Sequence, residues 1–84
     1  MKFEYEIETH LGILSSDEGG KYTKEVNIIS YNRARPKLDI REWIRNKPGE
    51  QSKDDILKRG ITLNWEEVQK LLELLQDLTG ADFR

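Results

Sequence analysis

The sequence predicts an α+β domain in the order β-β-β-β-α. Three observations carry that prediction. Apolar residues recur at period two in short runs through residue 63, clusters of Gly, Asn, Pro and Ser separate those runs, and a single stretch of helical period follows. Eighty-four residues make one domain, 1–84, with room for only a small core.

The first strand is read from Phe3, Tyr5, Ile7 and Thr9 alternating with Glu4, Glu6, Glu8 and His10, which gives it one acidic face. Gly12 breaks the phase before Ile13 and Leu14, as a bulge does. Residues 15–20 (Ser-Ser-Asp-Glu-Gly-Gly) are turn chemistry. Residues 22–31 are rich in β-formers (Val26, Ile28, Ile29, Tyr31), and residues 32–36 form the next connection. Alternation resumes over 37–45, with Leu38, Ile40 and Ile44 on one side. Lys37, Asp39, Arg41, Trp43 and Arg45 take the other. Residues 46–59 are polar, contain Pro48 and Gly49, and read as a loop. Within it, Ser52 and Asp55 are spaced to start one helical turn through Ile56 and Leu57. Residues 60–63 (Gly-Ile-Thr-Leu) make a short fourth strand.

Asn64 then caps a helix over residues 65–79. Glu67 completes a capping-box variant, Leu63 and Val68 are spaced for a hydrophobic staple, and Gly80 serves as C-cap. Trp65, Val68, Leu71, Leu72, Leu74, Leu75 and Leu78 cover about half of this helix's circumference at 100° per residue. A helix lying on its own sheet needs a narrower stripe. The flank with Leu71, Leu74, Leu75 and Leu78 is therefore expected to meet a second subunit, giving a homodimer; the competing account sinks the helix into a concave sheet.

The composition argues against several function classes. There is no cysteine, which removes disulfides and thiolate metal sites and suits a reducing cytoplasm. No run approaches a membrane span. His10 stands alone, so neither a metal site nor a catalytic diad is expected. Glu4, Glu6 and Glu8 read as a solvated edge that discourages aggregation. No phosphate-binding glycine loop or nucleophile elbow is present, so no enzymatic activity and no cofactor are expected.

Charge is distributed unevenly. Residues 21–47 hold eight cations against three carboxylates, a net of +5, within a chain whose total is −2. Tyr22, Tyr31 and Trp43 interleave with those cations, the chemistry that holds single-stranded nucleic acid. Trp43 shares a strand face with Lys37, Arg41 and Arg45, away from the residues expected to meet the helix. It is expected in solvent as a base-stacking platform; the alternative is a ring covering the sheet edge or the dimer seam. Tyr22 and Tyr31 differ in parity and face opposite sides, which leaves a core position open for one of them. Arg33, Arg35 and Lys37 cluster about a turn, and Lys58 with Arg59 extends the basic track or remains a solvated loop.

Two segments resemble a known family. Lys37-Leu38-Asp39-Ile40-Arg41-Glu42-Trp43 and Lys58-Arg59-Gly60-Ile61-Thr62-Leu63-Asn64 are similar to the positive cofactor four family of single-stranded-DNA-binding transcriptional coactivators. Lys2-Phe3-Glu4-Tyr5-Glu6-Ile7 and Thr23-Lys24-Glu25-Val26-Asn27 resemble its small bacterial YdbC-type members. The resemblance implies a strongly curved four-stranded antiparallel sheet followed by one helix. It further implies subunits paired through their helices, largely sequence-independent binding in a concave groove, and a cytoplasmic, nucleoid-associated location. The positions it implicates are Tyr22, Lys24, Asn27, Tyr31, Arg33, Arg35, Lys37, Arg41 and Trp43. Eukaryotic members end the third strand with Tyr-Trp where this chain has Trp43 and Ile44. The expected partner is single-stranded DNA. Single-stranded RNA and a protein docked on the same face are the alternatives.

Overall fold

The computed structural model describes residues 4–79. Four strands, β1 (Tyr5–Ser16), β2 (Tyr22–Tyr31), β3 (Lys37–Ile44) and β4 (Ile56–Leu63), form one open antiparallel sheet in the order β1-β2-β3-β4. The helix α1 (Trp65–Thr79) follows at once and, among the described residues, meets the sheet at β3 and β4. Its capping box forms as expected. The Asn64 backbone N–H donates to Glu67 Oε1 at 2.9 Å, and the Glu67 N–H donates to Asn64 Oδ1 at 2.8 Å. Gly80, the expected C-cap, and Phe3, the expected start of the first strand, lie outside the described residues.

Two strands are longer than expected. β1 runs on to Ser16 because its irregularities are absorbed as three register shifts against β2, at Ile7/Thr9, His10/Gly12 and Ile13/Ser15. The break at Gly12 is one of these. β4 begins at Ile56, where Ile56 and Leu57 pair with Ile44 and Trp43. Ser52 and Asp55 therefore start no helix; the Asp55 N–H closes a turn on the Ser52 carbonyl at 3.2 Å. A shift between Arg41 and Trp43 leaves Lys58 and Arg59 as the bulge that hid this strand behind polar residues.

The sheet is strongly curled, as one contact requires. Tyr5 is in register with Tyr31, and Trp43 with Thr23, eight residues away along β2. In a flat sheet those rings would be separated by about 26 Å along the strands alone. Their centroids lie 5.6 Å apart, edge to face. The face that bears them is the inner one, and bulges in β1 supply part of the bend.

The inner face carries the best-buried side chains: Ile29 and Trp43, with Thr23, Glu25, Asn27 and Asp39 beside them. Ile29 and Trp43 are the only buried hydrophobic residues among those described. The outer face is apolar and half covered, with the cross-strand rows Val26–Ile40–Ile61 and Tyr22–Ile44–Ile56. The radius of gyration, 14.5 Å, exceeds the value of about 12 Å for a compact chain of this length.

Candidate nucleic-acid interface

The structure divides the expected site residues between two faces and a turn. On the inner face, Trp43 is 1% exposed, which corrects the expectation of a solvent-facing platform. Trp43 does lie on the strand face that alternation predicts, but the curl brings Tyr5 against one side and the Arg45 guanidinium to 4.7 Å from the ring centroid. Asn27 is fully buried, and its Oδ1 lies 2.7 Å from His10 Nδ1. Neither residue offers a ring face or an amide to solvent.

Two inner-face cations are held by carboxylates. Arg41 binds Asp39 through Nε and Nη2 (3.1 and 2.9 Å) and donates from Nη1 to the Lys58 carbonyl at 2.8 Å. The Tyr31 hydroxyl donates to Asp39 Oδ1 and accepts from Arg41 Nε, both at 3.0 Å, while Thr62 Oγ1 also donates to Asp39. Burial, then the Asp39 charge, pushes the Tyr31 phenol up to about 12 against the opposing pull of Arg41. The hydrogen bond to Asp39 is the main reason the Arg41 pKa is raised further. Arg45 donates to Glu25 from Nε and Nη2 and to Asp55 from Nη1 at 2.6 Å. Asp55 also accepts the backbone N–H groups of Asn46 and Ser52, each at 2.8 Å. Burial opposes ionisation of Asp55, but these hydrogen bonds and Arg45 outweigh it, and the carboxyl sits below its ordinary value.

Sequence reasoning missed the roles of Tyr5, Arg45 and Asp55 in this cluster. The alternation of opposite charges at Lys37, Asp39 and Arg41 on one strand face was the available signal that this face neutralises itself.

The remaining cations stay in solvent. At one end of β2, Tyr22 is 53% exposed on the outer face, with Lys21 Nζ 5.6 Å from its ring centroid. It lies on the opposite face from Tyr31, as their parity predicts. The β1–β2 turn holds it in place, since its backbone N–H donates to Asp17 Oδ1 at 2.9 Å and its carbonyl accepts the Asp17 N–H at 3.0 Å. Lys24, two residues on, shares the face and lies across from Glu42. Tyr22, Lys24, Glu42, Ile44 and Lys58 line one cavity of about 560 Å³ together with Asp17, so two lysines there meet two carboxylates, and Lys21 beside the ring tips the balance to positive.

At the far end of β2, nine residues on from Tyr22, Asn32 and Arg33 adopt φ of 49° and 64°, and the Ala34 N–H closes on the Tyr31 carbonyl at 2.9 Å. Two consecutive positive φ values make the tight turn of type I′ form. That turn throws the Arg33 side chain outward, 90% exposed, with Glu4 at 3.8 Å. Arg35 and Lys37 are exposed beside it. A larger cavity of about 740 Å³ lies between this end of β1 and the loop over residues 51–55. It is lined by Glu4, Glu6 and Asp55 as well as Arg33 and Lys53, a mixture that repels phosphate as much as it attracts it.

The arrangement is thus a self-neutralised inner face and two exposed basic patches, one built around an exposed ring. Residues 21–74, which span β2, β3, β4 and most of α1, match the family described as Transcriptional Coactivator p15 (PC4). The chain belongs to the PC4 family. PC4 proteins are single-stranded-DNA-binding transcriptional coactivators rather than a family of enzymes. No curated protein matches the chain. Among the described residues, no helix is long and apolar enough to cross a membrane, and no group of three or more His, Asp or Glu side chains is arranged to hold a metal.

Proposed function

We propose that this PC4-family chain is a homodimeric, sequence-independent single-stranded DNA-binding protein of the bacterial cytoplasm and nucleoid, gripping the strand on its outer sheet face rather than on the expected basic and aromatic concave face, whose cations are already paired. The observation that carries the reading is Tyr22, an exposed ring with Lys21 over it and Lys24 and Lys58 in the same cavity. A base stacks on the ring, and the ammonium groups neutralise the adjoining phosphates. Arg33 and Arg35 on the β2–β3 turn take the backbone further along, with Lys37, exposed beside them at the start of β3 on the inner-face side, reached only where the strand rounds that end of the sheet. Arg41, Trp43 and Asn27 act indirectly, by holding the curl that fixes the spacing between the two patches.

The dimer is proposed from the shortage of core. Leu74, Leu75 and Leu78 on α1 are exposed and Leu71 is half-buried, while Ile61 and Trp65 are exposed nearby in the chain. Two copies that bring these surfaces together supply the burial that one copy lacks.

Titration of oligo(dT), its duplex and the matched RNA against rising salt tests the reading. Single-stranded DNA is expected to bind better than duplex, whose bases are already stacked. The log–log slope is expected to steepen by about 0.7 for each phosphate neutralised, or about 2 for three lysines per subunit. Equal affinity for duplex, or a flat salt response, removes the proposal. Tighter binding of RNA reassigns the ligand. Capture of a protein partner that survives nuclease favours a docking role.

A further inference from the structure

We propose that Glu42 makes the outer-face site prefer guanine at one nucleotide position. The inference rests on the single-strand reading above and refines its independence of sequence.

Residues 21–47 contain three carboxylates, and two of them, Glu25 and Asp39, are buried and ion-paired on the inner face. Glu42 is the third. It is exposed on the outer face, directly across from Lys24, and it lines the cavity that also contains Tyr22, Lys58 and Asp17; Asp17 Oδ1 already accepts the Tyr22 backbone N–H, whereas no hydrogen bond occupies the Glu42 carboxylate among the described residues. Among the described residues its carboxylate forms no ion pair, although two lysines line the same cavity. A bare carboxylate weakens any surface whose task is to hold phosphates. It becomes useful where the ligand presents hydrogen-bond donors.

The register sets which part of the ligand Glu42 meets. Tyr22 is paired with Ile44, so Glu42 is its diagonal neighbour on the same face, about 7–8 Å away. A base stacked on the Tyr22 ring extends over that distance and brings its edge to the carboxylate. In a single strand the Watson–Crick edge is unpaired and readable. Guanine presents N1–H and N2–H side by side there, two donors that match the two oxygens of a carboxylate. Cytosine and adenine each place a ring-nitrogen acceptor beside their single amine, and thymine flanks its one N–H with two carbonyls. Those three bases leave an acceptor facing a negative charge.

Fluorescence anisotropy with a dT 12-mer, the same oligomer with one central dG, and the same with deoxyinosine at that position tests the inference. Deoxyinosine keeps N1–H and lacks the N2 amine. The dG oligomer is expected to bind wild type roughly tenfold more tightly than the dT oligomer, with deoxyinosine losing most of that gain. Glu42→Gln is expected to bind dT more tightly than wild type does, because a repulsive charge is gone, and to bring the dG:dT ratio close to one. Equal affinity of wild type for dG and dT oligomers overturns the inference and leaves the single-strand reading standing. A preference that persists in Glu42→Gln does the same. Failure of wild type to bind any oligomer overturns the single-strand reading itself.

Discussion

The Arg45 guanidinium lies 4.7 Å from the centroid of the Trp43 ring and is held there by Glu25 and Asp55. One cation thus covers the indole, neutralises a buried β2 carboxylate and fastens the loop that leads into β4. Trp43 is consequently a strut of the curl, and its substitution should be read first as a loss of stability. Trp43→Ala should lower unfolding free energy by about 3–5 kcal/mol. Trp43→Phe, which retains a ring under Arg45, should lose less and keep oligonucleotide affinity once folded. Denaturant unfolding and a titration of the Phe variant check both outcomes. A large loss of affinity in folded Trp43→Phe would return this ring to the binding site.

Asp55 makes the same cluster sensitive to acid. Its carboxyl is depressed below the ordinary 3.8, so its stabilising contribution is present above that pH and is lost as pH falls through the lower folded value. Wild type should therefore melt at progressively lower temperature as pH drops from about 5 towards 3. Asp55→Asn should be less stable at neutral pH by about 1–3 kcal/mol, melt lower there, and show a shallower decline on acidification. Parallel acid slopes for the two proteins would show that Asp55 does not carry the effect.

Gly60 is fixed by a close approach rather than by a turn. A Cβ built there would fall 2.5 Å from the Ile40 carbonyl oxygen and 2.8 Å from Arg41 Cα, both backbone atoms that cannot step aside. This is the point where the β4 bulge lets the Lys58 carbonyl reach the Arg41 guanidinium. Gly60→Ala should destabilise by about 1–3 kcal/mol. Exchange of the β3 and β4 backbone amides should rise before that of β2, and uniform exchange across the sheet would contradict this account.

Much of the scaffold was legible from local pattern. The bounds of β2 and α1, the strand at 37–44 and the reciprocal Asn64–Glu67 cap all follow from alternation, helical period and spacing. β4 was half hidden because Lys58 and Arg59 sit in a bulge and disguise a strand as a loop. The inner and outer sets of β3 were also legible by parity. Which set faces solvent was not, because the cover for Trp43 comes from Tyr5, thirty-eight positions earlier, and from Arg45 anchored by Asp55. Nor does net charge in a segment reveal that Arg41 and Arg45 are already neutralised by Asp39, Glu25 and Asp55. The pairing of Glu42 with Lys24 required the register, which no single-chain pattern supplies.

The affinity of Tyr22→Ala for single-stranded oligo(dT), with thermal unfolding followed on the same sample, tests the central claim most directly. The account predicts a loss of roughly 1–3 kcal/mol in binding with little change in melting temperature, since the ring is exposed. Undiminished affinity in a folded Tyr22→Ala protein would contradict it.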